Sequence, residues 1–156
     1  MKTATVNELK RELVNIPPAQ LAELCLRLVK FKKENKELLT YLLFESADEQ
    51  GYISSVKKEM DEQFLTINQS NLYFAKKTIR KVLRITNKHI RYTGSKQAEV
   101  ELLIHFCRIL KESGLPFQKS TALENLYNNQ IKKIKTAMES MHEDLQYDYV
   151  RELRQL

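Results

Sequence analysis

Turn-forming residues are scarce in this sequence. It contains only three glycines and three prolines among 156 residues. An antiparallel β fold needs turn residues about every 8–12 positions, and this chain cannot supply them. Leu, Lys, Glu, Gln and Ala, which favour helices, are abundant instead. We therefore predict an all-α fold in a single domain spanning residues 1–156, because this length suits one hydrophobic core.

The composition excludes several classes of protein. An apolar fraction of 42% and a charged fraction of 29% are typical of a globular chain rather than a disordered one. The first residues lack the apolar segment of a secretion signal, and the longest apolar cluster, at residues 38–44, is too short to span a bilayer. Cys25 and Cys107 form neither a disulfide framework nor a CxxC pair. We expect a cytoplasmic protein that does not contact membranes.

Capping residues mark where several helices begin. A hydroxyl residue followed three positions later by Glu, which can satisfy free backbone amides at a helix start, occurs at Thr5, Ser46 and Thr121. Pro18 suits the first turn of a second helix. A turn around residues 34–36 precedes a third helix, and acidic residues indicate that the fourth begins near Asp48.

Two helices carry apolar residues around much of their circumference, which is typical of central helices. One is the third helix, which contains Leu42 and Phe44, and the other is the sixth, which contains Leu103 and Phe106. We therefore predict that all four side chains are deeply buried.

The connections between helices are short, so consecutive helices should form antiparallel hairpins. The fifth helix is predicted from residue 72 to about residue 91, and the sixth from about residue 96 to Gly114, a residue typical of the position after a helix. Residues from about 120 to the C-terminus form either one long, projecting helix or two helices broken near residues 141–143. Seven or eight helices result, arranged as a bundle or a short α-solenoid, and no fixed repeat period is evident in the sequence.

The strongest charge feature lies in the fifth helix. Eight basic residues and no acidic residue occur between positions 68 and 97. Four of them recur every four residues and form what we call the basic ridge, and three more flank it. A ridge of this kind can neutralise the phosphates of a polyanion such as nucleic acid, and Tyr73, Tyr92 and His89 could add base stacking. The ridge comprises Lys76, Arg80, Arg84 and Lys88, and the flanking cations are Lys77, Lys81 and Arg91.

The same charges have a structural interpretation. The preceding segment, residues 41–67, carries six acidic residues and two lysines. If the fourth and fifth helices form a hairpin, acids such as Glu59 and Glu62 would pair with Arg80 and Arg84. Charge blocks on helices are more often solvated surfaces than binding sites.

No nucleophile motif is present, and three glycines are too few for a Gly-rich phosphate loop, although a triad can be assembled from residues far apart in sequence. Glu139 and His142 have the Glu-x-x-His spacing of di-iron bundles, but the second pair that such a site requires is missing, since Glu101 and His105 are four residues apart. We expect His142 at the surface and His105 bonded to a backbone carbonyl. We predict no enzymatic activity, no cofactor and no metal.

Apolar residues recur at helical spacing from Leu123 to Leu145 and form either the last stripe of the core or a face that binds a partner. The interpretation we favour at this stage is a non-catalytic helical module that binds a protein partner or self-associates. The alternative is nucleic-acid or other polyanion binding through the basic ridge.

Overall fold

The computed structural model describes residues 1–156 and contains eight α-helices and no β-strand, so the all-α prediction is confirmed. The contacts divide the chain into an N-terminal unit, residues 1–44, and a C-terminal unit, residues 45–156. The assignment of the whole chain to one domain stays a prediction.

The N-terminal unit contains three short helices, and a π-helical segment, Tyr41–Glu45, follows them. Thr5 and Glu8 form the predicted capping box, and Pro18 is the first residue of the second helix. The break before the third helix is at Lys32, whose backbone is extended, and not at residues 34–36. Asn35 holds this break by donating a hydrogen bond to the Leu28 carbonyl at 2.8 Å. The helices are α1 (Val6–Val14), α2 (Pro18–Phe31) and α3 (Lys33–Thr40).

Helices α1 to α3 contain no buried residue, so the prediction of a central, buried third helix is wrong. Leu42 is 53% exposed and Phe44 is 76% exposed. Helix α3 ends at Thr40, and both side chains belong to the π-helical segment that follows. A unit of 44 residues is also close to the size below which a chain rarely encloses a core of its own.

The C-terminal unit contains five helices and one 3₁₀ turn, Phe117–Lys119. Gly94 and Gly114 have φ values of 61° and 73° and follow the second and third of these helices, as proposed for Gly114. The chain beyond residue 120 forms two helices, which decides between the two alternatives left open by the sequence. The helices are α4 (Glu49–Leu65), α5 (Leu72–Thr93), α6 (Lys96–Glu112), α7 (Thr121–Met138) and α8 (Glu143–Leu153).

Two of the three predicted capping boxes do not form. Helix α4 does begin beside Asp48, but it is the Asp48 carboxylate, and not Ser46, that accepts a hydrogen bond from the Gly51 amide, at 2.9 Å. Thr121 is already the first residue of α7, and Ser120 precedes it without a side-chain hydrogen bond to the helix. A capping box therefore requires the hydroxyl residue to lie one position before the helix, which residue spacing alone does not establish.

Helix α6 is the centre of the C-terminal unit. Leu103 and Phe106 are fully buried, as predicted. Helices α4, α5 and α7 all pack against α6, which explains why its apolar residues occupy more than one face. The Phe106 ring packs edge-on against Phe64 of α4, with 6.1 Å between the ring centroids.

The capping residues of three helices are evenly spaced along the chain. Asp48, Ser95 and His142 are the residues that cap α4, α6 and α8, and 47 positions separate each from the next. Each side chain accepts a hydrogen bond from a backbone amide of the helix that it precedes. A period of this size is typical of stacked helix pairs.

Three side-chain contacts between these helices have the same separation in sequence. Between α4 and α6, Lys57 contacts Glu101 and Asp61 contacts His105, both 44 residues apart. Arg108 of α6 contacts Glu152 of α8, also 44 residues apart. In each pair of helices, a contact further along one helix is also further along the other, so α4, α6 and α8 run parallel. Helix α5 runs antiparallel to α4, so these two helices form an antiparallel hairpin, as predicted from their short connection.

Candidate functional site

Charge in the C-terminal unit is segregated by helix. Helix α5 carries seven basic residues and no acidic residue. Helix α4 carries four acidic residues and two lysines, and α8 carries four acidic residues and one arginine. The basic potential of the unit is therefore concentrated on α5.

The basic ridge is largely free of charged partners. Arg80, Arg84 and Arg91 are exposed and make neither an ion pair nor a side-chain hydrogen bond. Lys76 is half-buried and also makes neither. These guanidinium and ammonium groups are available to an anionic ligand, because no carboxylate of the chain pairs with them.

The remaining cations of α5 have local contacts. The Lys81 ammonium donates a hydrogen bond to the amide oxygen of Gln63 at 3.1 Å. The Lys77 ammonium lies 4.7 Å from the centre of the Tyr73 ring, and that of Lys88 lies 5.9 Å from the Tyr92 ring. For Lys77 and Lys81, contacts with an aromatic ring or a neutral amide leave the positive charge uncompensated.

The acids of α4 do not neutralise Arg80 and Arg84, although α4 and α5 do form a hairpin. The Glu59 carboxylate lies 3.6 Å from Nε2 of His89, and Glu62 makes no ion pair. Asp61 contacts His105 of α6 at 2.7 Å. The pairing that the sequence suggested for the two arginines is absent.

The aromatic residues around the ridge divide into two groups. Tyr73 and Phe74 are 62% and 51% exposed. Tyr92 is buried, and His89 accepts or donates a hydrogen bond with the Tyr52 hydroxyl at 2.6 Å. The expectation of stacking by Tyr92 and His89 is therefore wrong, whereas Tyr73 is available. Phe74 was missed, although it lies next to Tyr73 in the same basic helix.

A second polar cluster surrounds Glu101, whose side chain is only 14% exposed. Its carboxylate accepts hydrogen bonds from Lys57, Gln97 and Tyr149 at 2.9 to 3.1 Å, and from Gln50 at 3.3 Å. Burial by itself would raise the pKa of Glu101, but the hydrogen bonds and the Lys57 charge hold this pKa below its ordinary value. Burial and the Glu101 carboxylate raise the pKa of Tyr149. The cluster joins helices and offers no free acid or base.

The histidines considered for metal binding are engaged elsewhere. His142 is exposed, as expected, and its Nδ1 accepts a hydrogen bond from the Asp144 amide at 3.3 Å at the start of α8. His105 contacts the Asp61 carboxylate and not a backbone carbonyl, which corrects the expectation for this residue. No three His, Cys, Asp or Glu side chains converge in a geometry that would hold a metal ion.

The N-terminal unit exposes apolar surface. A groove of about 270 Å³ between α2 and α3 contains Cys25, Leu28, Leu38 and Leu42 in its lining. Phe31, at the end of α2, is 78% exposed. Other large apolar side chains of this unit are also exposed, among them Val6, Leu9, Val14, Leu26, Leu43 and Phe44.

Comparisons with known proteins give no family assignment. No family model, no curated protein and no solved structure matches this chain. None of its helices combines the length and the apolar character needed to cross a membrane. The functional interpretation therefore depends on the geometry of the surfaces described above.

Proposed function

We propose that this protein is a non-catalytic binding module that holds a polyanion, specifically a nucleic acid, on the basic ridge of α5. The observation that carries the proposal is the absence of any acidic partner for Lys76, Arg80 and Arg84. With these charges unpaired, polyanion binding takes precedence over protein-partner binding, the interpretation that the sequence favoured.

The spacing of the ridge suits a backbone of phosphates. Residues four positions apart in a helix are separated by a rise of about 6 Å and lie on nearly the same face. Lys76, Arg80 and Arg84 therefore present three cations in a row along two helical turns. Such contacts fix the position of a nucleic acid without reading its bases.

A salt series tests the proposal. Binding of a fluorescently labelled, mixed-sequence oligonucleotide is measured by anisotropy between low and moderate salt concentrations. The logarithm of the affinity should fall linearly with the logarithm of the salt concentration, with a slope of about −0.7 to −0.9 for each phosphate contacted. Three contacts would give a slope between about −2 and −3. A protein that does not bind the oligonucleotide at low salt would contradict the proposal.

Non-catalytic and cytoplasmic character are parts of the same proposal. Glu101 is the least exposed carboxylate that pairs with a cation, and it accepts hydrogen bonds from residues of three helices. Contacts with phosphates require no cofactor. Cys25 and Cys107 are free thiols, which supports a reducing compartment.

A protein partner, or self-association, is the second candidate function. The exposed apolar side chains of the N-terminal unit favour it, because soluble monomers rarely expose contiguous apolar patches larger than a few hundred Å². Light scattering over a range of protein concentrations tests self-association. The mass of one chain at all concentrations would leave only a different protein as the partner.

A further inference from the structure

Two exposed aromatic rings occupy the first turn of α5. Tyr73 is 62% exposed and Phe74 is 51% exposed, and their rings are nearly perpendicular with 5.5 Å between centroids. Neither ring contributes to the buried core of the C-terminal unit. Large apolar side chains that a fold leaves outside its core are candidates for ligand contact.

The backbone that carries these rings is fixed. The Asn71 side-chain oxygen accepts hydrogen bonds from the amides of Tyr73 and Phe74, at 2.9 and 3.4 Å. Asn68 accepts from the amides of Ser70 and Asn71, both at 3.0 Å. The two rings therefore project from a well-capped helix start rather than from an unconstrained loop.

The rings are continuous with the basic ridge. Lys77 lies one turn beyond Tyr73, with its ammonium 4.7 Å from the Tyr73 ring and 5.8 Å from the Phe74 ring. Arg80 and Arg84 follow at intervals of three and four residues, which places them along the same side of the helix. Aromatic faces at one end of a row of unpaired cations form the combination that binds single strands, in which bases stack while phosphates meet the cations.

From this arrangement we infer that the ligand of the ridge is a single-stranded nucleic acid whose bases stack on Tyr73 and Phe74. The inference rests on the proposed function and adds the class of ligand. In a duplex the base faces are covered by neighbouring base pairs, so the rings contribute only to binding of a single strand. Recognition tolerates any sequence, because every base has a face that can stack.

A tryptophan reporter tests the stacking directly, because the chain contains no tryptophan. In Tyr73→Trp, the new indole is the only one, and its fluorescence should be quenched by a single-stranded oligonucleotide but not by a duplex or by inorganic polyphosphate. Tyr147→Trp provides the matched control, since Tyr147 is 67% exposed on the acidic helix α8. Quenching of equal size in both variants would overturn the inference. So would unchanged fluorescence of the Tyr73→Trp variant when it has bound a single strand.

Affinities separate this inference from the proposed function. Tyr73→Ala combined with Phe74→Ala should weaken single-strand binding by about tenfold or more, and should change duplex and polyphosphate binding by less than about twofold. Circular dichroism checks that the variant is folded. Equal losses for all three ligands, or no loss for any, would overturn stacking and leave polyanion binding intact. Failure of all three ligands to bind the unmodified protein at low salt would overturn both proposals.

Discussion

The Lys57 ammonium lies 2.9 Å from the Glu101 carboxylate and joins α4 to α6 across 44 residues of sequence. The Tyr149 hydroxyl of α8 donates to the same carboxylate at 3.0 Å. One partly buried glutamate thus connects the three parallel helices. Removing its charge should therefore affect the packing of all three.

We expect Glu101→Gln to lower the free energy of unfolding by about 1–3 kcal/mol. The amide that replaces the carboxylate is a weaker acceptor for Lys57, and the partly buried donors around it lose charge-assisted hydrogen bonds. Urea denaturation at pH 7 measures the loss. Glu112→Gln, at an exposed position of the same helix, is the control and should change stability by less than about 0.5 kcal/mol. Equal costs for the two variants would show that the cluster does not stabilise the packing of these helices.

The cost of Glu101→Gln should depend on pH. Because the folded state lowers the pKa of Glu101, the carboxylate contributes stability above the ordinary glutamate pKa of 4.5. That contribution is lost as the pH falls through the lower pKa of the folded state, whereas glutamine does not titrate. The difference in stability between the two proteins should therefore shrink below about pH 4.5, as measured by urea denaturation at a series of pH values. A difference that stays constant down to acid unfolding would contradict the assignment.

Two phenylalanines provide a test of the core. Phe106→Ala should cost about 3–5 kcal/mol, because Phe106 is fully buried and its removal leaves a cavity in the core between α6 and its neighbours. Phe44→Ala removes the same atoms from a side chain that is 76% exposed and should cost less than about 1 kcal/mol. Thermal or urea denaturation distinguishes them. A large cost at Phe44 would indicate that a partner or second copy covers it.

Charge reversal on α5 separates binding from stability. Arg80→Glu combined with Arg84→Glu should nearly abolish oligonucleotide binding at moderate salt, because both guanidinium groups are unpaired and exposed. The unfolding midpoint should change little, since the reversal breaks no ion pair. Lys132→Glu combined with Lys133→Glu reverses two exposed charges on α7 and should weaken binding much less. An equal loss in both variants would mean that overall charge, and not the ridge, determines binding.

The two cysteines should differ in reactivity. Burial raises the pKa of the Cys107 thiol to about 12, so at pH 8 almost none of it is the reactive thiolate. Cys25 lies in the lining of the groove between α2 and α3 and is only partly buried. A thiol reagent such as DTNB should titrate one thiol in the native protein and a second after urea is added. Cys25→Ser should abolish the native reaction, and rapid modification of both thiols would contradict the burial of Cys107.

Local features of the sequence predicted most of the helices. The Thr5 capping box, Pro18 and Gly114 lie where their physical preferences place them. Burial was less predictable, because residues 38–44 and α6 are both rich in apolar residues and only α6 has packing partners on several sides. Whether an apolar helix is central depends on its neighbours, and the sequence of the helix does not specify these.

The 47-residue spacing was not evident because equivalent positions hold different residues. Asp48, Ser95 and His142 all cap helices through different chemical groups. Similarly, Met60 in α4 and Cys107 in α6 are 47 positions apart and both buried. When equivalent positions share a structural role, such as helix capping or burial, but hold different residue types, the repeat is not visible from residue identity alone.

The candidate site was predicted only in part. The charges of α5 can be counted from the sequence, but their pairing depends on how α4 is rotated about its axis. That rotation directs Asp61 towards α6 and leaves Arg80 and Arg84 without partners. The orientation of α5 likewise buries Tyr92 and exposes Phe74, which differ in position around the helix.

The parallel alignment of α6 and α8 determines which changes of length the protein can accommodate. Helix α6 meets α8 at two levels, through Glu101 with Tyr149 and through Arg108 with Glu152. Deleting one residue between Glu101 and Arg108 would rotate one level by about 100° relative to the other, so α8 could keep only one of the two contacts. Insertions at Gly94 or Gly114, which lie outside the helices, do not change the angle between the two levels of contact on α6. Variation in chain length should therefore accumulate in the connections, while the helices keep a fixed number of residues.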